Sequence, residues 1–365
     1  FPYRVFPHDF KSPHSLKDLT YPKHSLLGGK IVQPMEFLDL YCLSPGAYQG
    51  QVYQAIIETL KKEGDAKKLD VENMERFGYT MLQKPLEALN MTYPGLDLEK
   101  ESESKTFVGI EGLRTCMKFK TNKTDYEYRA DVLKKYGRIF SKGEIGKYSS
   151  KIADITNTVI NSEGISLVYS QFLEGGVVPI ALALEELGCR RYDGPNLLKD
   201  GPKKRNDIVY TMITGNEDLS PNNALAVKTA SDTKNKDGSV IKIILISRAG
   251  SEGLDFANIR QVHILDPWYN TNRIEQTIGR AVRNCSHKNL PFNQRNVQIF
   301  MYATLLENES EAADLYIYRV AELKAILIGK VSRALKEGAI DCLLNQEQMN
   351  AAAAIMKQKR KLVLS

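Results

Sequence analysis

Between residues 147 and 304 short runs of β-branched residues alternate with stretches whose apolar residues recur at helical spacing. The run Ile243-Ile244-Leu245-Ile246 is apolar at every position, so it has no face to give to water. A strand apolar on both faces must be covered on both, and a parallel sheet flanked by helices provides that cover. The spacing predicts helices over 150–160, 177–187 and 271–282, and strands over 165–169, 207–213, 241–246, 261–265 and 297–304. The fold class is therefore α/β, a doubly wound parallel sheet.

The remaining chain divides around that core. With 365 residues and about 150 per domain, one to three domains are expected. Apolar residues at 42% and charged residues at 26% are those of a packed globular protein. Residues 1–35, with prolines at 2, 7, 13, 22 and 34, read as an extended lead-in segment, and 36–308 as one lobe. Within the lobe a strand is expected over 37–43 and a helix over 48–62. The charged stretch 95–130 reads as an insertion with its own small structure or a mobile loop, and the turn formers of 215–240 as a loop interrupting the sheet. Residues 309–365 form a C-terminal helical extension, amphipathic and packed on the same domain, closed by the basic tail KQKRK at 357–361.

No stretch approaches the roughly 18–20 apolar residues of a membrane span, and the N-terminus lacks a signal-peptide pattern, so no membrane partner and no secretion are expected. Cys42, Cys116, Cys189, Cys285 and Cys342 form no C-x-x-C pair and have no histidine at ligand spacing; reduced thiols and no metal site are expected. A first residue of phenylalanine suggests a piece of something longer. Fifty lysines and arginines against 44 acidic residues leave +6, which permits an acidic partner without demanding one.

Chemistry concentrates at 246–283. Ser247 to Gly253 is small and glycine-bearing, and follows a buried strand. Backbone amides there can approach a bulky anion beyond the carboxyl end of the sheet, with the Asp255 carboxylate at the same edge. The next strand ends in Asp266-Pro267-Trp268, and the helix after it carries Gln276, Arg280 and Arg283 on one face. Two guanidinium forks and a carboxamide suit a polyphosphate, although any single arginine could as well be part of a solvated basic face. Gly279 within that helix costs about 1 kcal/mol against alanine, which a close approach by another backbone or a ligand would explain. A phosphate-cradling loop is missing: GEIGKY at 143–148 has the wrong glycine spacing, and no D-E-x-H or D-E-x-D box occurs.

SRAGSEGLDF (247–256) resembles motif V of superfamily 2 helicases, and QTIGRAVR (276–283) resembles motif VI, Q-x-x-G-R-x-x-R. SSKIADI followed by ISLVYSQFLEGG resembles the approach to motif IV in Swi2/Snf2-like motors, and DLYCLSPGAYQGQVYQAI and TMLQKPLEALN resemble the opening of the same lobe. The stretch 262–287 is similar to helicases of large cytoplasmic DNA viruses, notably the poxvirus and asfarvirus early transcription factor ATPase subunits and their nucleoside triphosphatase relatives. The likeness spans roughly 36–345 and is most specific between 241 and 300.

The resemblance implies a RecA-like second helicase lobe acting in viral early transcription. It makes Arg283 an arginine finger, with Arg280 and Gln276 at the terminal phosphates and attacking water. Glu252, Gly253, Asp255 and Gly279 would bind or couple to the nucleotide, and Ser170, Gln171, Ser247 and Arg248 would meet the nucleic-acid backbone. ATP with Mg²⁺ is the implied cofactor, the metal being held by a preceding lobe whose absence would leave this lobe inactive. Implied partners are nucleic acid, DNA in preference to RNA, that first RecA-like lobe, and a second transcription-factor subunit or viral RNA polymerase. The implied location is the host cytoplasm, in viral factories, and the virion. A transcript-release NTPase acting in termination and a non-catalytic nucleic-acid-binding or assembly module are the alternatives.

Overall fold

The computed structural model describes residues 3–5, 14–16, 19–26, 28–62, 74–95, 107–119, 125–251 and 254–339. The chain runs β1 (Tyr3–Val5), β2 (Tyr41–Leu43), α1 (Ala47–Lys62), α2 (Met74–Asn90), α3 (Gly109–Cys116), β3 (Met117–Phe119), β4 (Tyr126–Tyr128), α4 (Ala130–Tyr136), α5 (Ile145–Tyr148) and α6 (Ser150–Asn161). It continues through β5 (Ile165–Ser170), α7 (Val178–Glu186), β6 (Arg190–Arg191), β7 (Val209–Ile213), α8 (Asn223–Ala230), β8 (Ile243–Ser247), β9 (Ile259–Ile264), α9 (Thr271–Ala281), β10 (Asn296–Thr304) and α10 (Ala313–Glu337).

Eight strands make one sheet in the order β1-β10-β9-β5-β8-β7-β6, with β2 pairing the far end of β10. Every pairing in it is parallel. Alternation along β5 explains the two layers that cover it: Val168 points into one apolar cluster, Leu167 and Tyr169 into another. The first cluster contains Ile152 and Ile155 of α6 and Leu182 of α7; the second contains Ala226 of α8, Ile274 and Ile278 of α9, and Leu315 of α10. The doubly wound α/β expectation is borne out. Between β5 and α7 lies one wider turn of helix, Leu173–Val177.

Some local expectations change. The strand foreseen at 37–43 is confined to Tyr41–Leu43, because the amides of Glu36, Phe37 and Leu38 donate to the Glu322 carboxylate of α10 (2.6, 2.9 and 2.5 Å) instead of to a strand. Of the two readings of the charged stretch 95–130, small structure holds where it is described, but not as a separate body: α3 and the β3–β4 pair bury Leu113, Cys116, Met117 and Tyr126 in the core shared with α6 and α7. The loop expected at 215–240 contains α8, since parallel β7 and β8 need a crossover connection and Ala226 and Ala230 seal it to the sheet. Helix α10 is buried at nine of its first ten residues, whereas Leu327, Ile328, Val331 and Leu335 further along are exposed. The basic tail at 357–361 lies outside the described residues.

A buried ion pair ties these layers together. Lys151 Nζ of α6 donates to Asp314 Oδ2 of α10 (2.6 Å) and to the Leu265 carbonyl after β9 (3.3 Å), and Thr304 Oγ1 of β10 donates to the same carboxylate (2.8 Å). Among the described residues no helix is long and apolar enough to cross a membrane. Cys42, Cys116 and Cys189 are buried free thiols and Cys285 is an exposed one.

Candidate functional site

Helix α9 positions the candidate residues. Asn270 caps its start by accepting from Arg273 N (3.3 Å), and Ile274, Ile278 and Ala281 bury its inner stripe. Spacing of 3.6 residues then turns Gln276 outward and leaves Gly279 and Arg280 half-buried, whereas Arg283, expected on the same helical face, lies two residues past the end of α9, beyond the non-helical Val282, and is exposed there.

The two ends of α9 lie at opposite ends of the sheet. Its first residue follows the carboxyl end of β9. Its last turn returns toward the start of that strand, because Phe256 N donates to Arg280 O (3.3 Å), Asn258 N to Ser286 O (3.0 Å), and His287 Nε2 meets Ile259 O (2.6 Å). Asp255 is therefore not at the carboxyl edge with Ser247, as the sequence suggested, but some distance back along the helix.

There the Asp255 carboxylate grips the Arg283 guanidinium with both oxygens, Nη2 to Oδ1 at 2.7 Å and Nη1 to Oδ2 at 2.8 Å, while Arg283 Nε donates to Gly279 O (3.1 Å). The pair is open to solvent, the two side chains being 45% and 61% exposed. Arg280 Nη1 donates to Leu254 O (2.9 Å), and one turn before Gly279 the Glu275 carboxylate pairs with Arg4 of β1 (3.1 Å). A Cβ on Gly279 would meet nothing within 4 Å, so no close approach inside the described chain accounts for that glycine. Glu252 and Gly253 lie outside the described residues.

The carboxyl edge is organised around a residue that received no role in the sequence reading. Asp266 is buried and accepts from Ser170 Oγ (2.5 Å), Gln171 N (3.0 Å) and Asn90 Nδ2 (3.0 Å). Burial raises its carboxyl above the usual carboxylate range, with the Ser170 hydrogen bond as the leading opposing effect. Ser170 is thus withdrawn from any nucleic-acid backbone: it has no exposed surface and its hydroxyl is spent on Asp266. Gln171 is half-buried, its Nε2 donating to Pro267 O (3.1 Å). Ser247 is also buried, and its Oγ faces Gly250 N (3.4 Å). Chain packing requires a glycine at 250, since a Cβ there would lie 2.1 Å from Ile213 O at the end of β7. Arg248 remains exposed, its guanidinium 5.0 Å from the Trp268 ring, with Arg273 at 3.9 Å. Trp268 is the only tryptophan in the chain, which was the available signal for this stack.

Among the described residues no group of three His, Cys, Asp or Glu side chains could hold a metal ion. What the far end of α9 offers is donors: a planar fork already matched to a two-oxygen anion and a second guanidinium, with the exposed Gln276 carboxamide about one turn before Arg280.

Residues 197–285, which include both SRAGSEGLDF and QTIGRAVR, match the helicase conserved C-terminal domain. The RecA-like second-lobe fold and the likeness to viral superfamily 2 helicases are thereby borne out. The chain is similar to an Invertebrate iridescent virus 3 protein named as a helicase, with 35% identity over 211 residues, 55% of this chain and 21% of the relative. It is similar to an Acanthamoeba polyphaga mimivirus protein named as an ATP-dependent RNA helicase, with 30% identity over 200 residues, 54% of this chain and 39% of that one. The termination factor NPH-I homologue of African swine fever virus is 28% identical over 317 residues, 76% of this chain and 44% of its own length. The chain therefore spans less than half the length of these relatives. Among solved structures, the C-terminal part of the Fun30 ATPase domain aligns over 83% of this chain and 89% of its own, with a TM-score of 0.44 and 13% identity.

Proposed function

We propose that this chain is the C-terminal lobe of an ATP-dependent helicase or translocase acting on nucleic acid in viral early transcription, and that Arg283 is its arginine finger. The observation carrying this reading is the Arg283 guanidinium at the end of α9, exposed and already engaging a two-oxygen anion in fork geometry. In the assembled motor a preceding lobe would hold ATP and its magnesium through its own carboxylates, and the bound nucleotide would supply the phosphoryl group passed to water. Arg283 would stabilise charge on that group, Arg280 would steady the 254–256 segment beside it, and Gln276 would orient the water. A side-chain-free surface at Gly279 leaves room for the opposing lobe. At the carboxyl edge Arg248 with Trp268 would meet the nucleic acid, and Gln171 would help set the turn beneath them.

DNA is the proposed track and RNA the competing outcome, supported by the name of the mimivirus relative. Transcript release in termination is the second reading, favoured by the African swine fever virus relative, whose match covers 76% of this chain. A non-catalytic binding module would have no use for Gln276, Arg280 and Arg283 together. The place of action would be the host cytoplasm and the virion.

The test is steady-state ATP hydrolysis by this chain mixed with the segment that precedes it, with single-stranded DNA, RNA or neither. Turnover in the mixture alone, lost in Arg283→Ala, supports the reading; an inert mixture hands it to the binding module.

A further inference from the structure

We propose that Asp255 is a parking site for Arg283: its carboxylate holds the guanidinium and must be displaced by a terminal phosphate before the finger can act. This role presupposes the finger reading of Arg283. The geometry is that of a substitute ligand. Each terminal nitrogen of Arg283 faces one carboxylate oxygen and Nε donates to Gly279 O, so three of the five N–H donors, with both terminal nitrogens among them, are engaged at once. A phosphate approaching the exposed side of α9 would need the same two terminal nitrogens.

Asp255 is well placed for that role and dispensable for the fold. Main-chain bonds on both sides hold it in position: Leu254 O accepts from Arg280 Nη1, Phe256 N donates to Arg280 O, and its own carbonyl accepts from Ser231 Oγ (3.3 Å). Its side chain, 61% exposed, packs nothing in the core. An exposed pair of this kind is weak and screened by salt, so it is readily exchanged. A nucleotide lacking the terminal phosphate would leave Arg283 on Asp255, so the pair would favour triphosphate over diphosphate.

The experiment measures ATP hydrolysis without nucleic acid in the full-length protein, comparing wild type, Asp255→Asn, Arg283→Ala and the double variant. The expected result is a KM for ATP lowered about two- to five-fold in Asp255→Asn, the range an exposed ion pair supports, with kcat and inhibition by ADP unchanged. In the Arg283→Ala background, where turnover is lost, the dissociation constant for ATP is measured instead, and the same substitution should leave it unchanged. Thermal melting checks the fold, and Asp255→Ala serves should the asparagine variant fold poorly. A fall in kcat would overturn the proposal by making the carboxylate itself part of turnover; an unchanged KM would overturn it by making the pair idle. Undiminished turnover in Arg283→Ala would instead remove the finger reading on which the proposal depends.

Discussion

Two ion pairs of nearly equal length sit in opposite surroundings. Lys151 and Asp314 meet at 2.6 Å with both side chains fully buried, whereas Arg283 and Asp255 meet at 2.7 Å with both in contact with water. Distance does not distinguish them; the surroundings do. In the buried pair each charge has been stripped of water, and it is kept only because Leu265 O, Thr304 Oγ1 and Leu315 N (2.7 Å to Asp314 Oδ1) complete its hydrogen bonding. In the exposed pair either partner can return to water, so the bond can be remade to another anion. The first joins α6, β10 and α10 into one body, and the second leaves the end of α9 able to respond.

That contrast can be broken from either side. The largest effect is expected from Arg283→Ala in the assembled motor, where kcat should fall by about 10³ to 10⁵ while the melting temperature of the chain stays put. Loss of stability together with activity would mean that the exposed pair also supports the fold. Next, Lys151→Met should leave Asp314 buried and uncompensated and lower unfolding free energy by about 3–5 kcal/mol, read as a shift in the urea midpoint. Adding Asp314→Leu should recover most of that loss, and a single variant as stable as wild type would contradict the buried lock.

A third buried polar group sharpens the comparison because it stays uncharged. Burial holds the His263 imidazole at about 3, well under its usual 6.5, stacked on Phe300 (4.4 Å) and hydrogen-bonded to Tyr302 OH (3.1 Å). The unfolded chain takes up this proton below about pH 6.5 and the folded chain does not until near pH 3, so its contribution is intact above pH 6.5 and is lost as the pH falls between those values. The slope is up to about 1.4 kcal/mol per pH unit. Stability measured against pH should therefore fall less steeply in His263→Phe than in wild type, and parallel acid limbs would refute the assignment. The smallest effect belongs to the exposed end: Gly279→Ala has open space around it and should stabilise the chain by up to about 1 kcal/mol. Reduced turnover of the assembled motor in that same variant would show that another body comes close at Gly279.

How much of this was legible in sequence depended on range. The central strands and α9 could be placed to within a residue or two because their signal is the repeat of neighbouring side chains. Helix α8 was hidden: its short Asn223–Ala230 stretch is hemmed in by turn formers, and only the need to cross from β7 to β8 reveals it. Strand β6 is two residues long and carries no pattern to read. At the site, the places of Gln276 and Arg280 on α9 were readable from helical spacing, but the end of the helix at Ala281, short of Arg283, was not. The Asp255 contact to Arg283 spans 28 positions and was not. Ser170 was assigned to the nucleic-acid backbone by resemblance, and only packing shows that it turns inward to Asp266.

By itself, then, the amino-acid sequence determined the class of fold, the order of its central elements, and which residue types line the outer face of α9, since periodicity is set within a few positions along the chain. Tertiary structure alone decided that Asp255 sits back along α9 instead of at the carboxyl edge, that Ser170 is enclosed, and that one ion pair is locked while the other is free to exchange. Those outcomes depend on which distant segments meet and how much water stays between them, and neither is a local property of the chain.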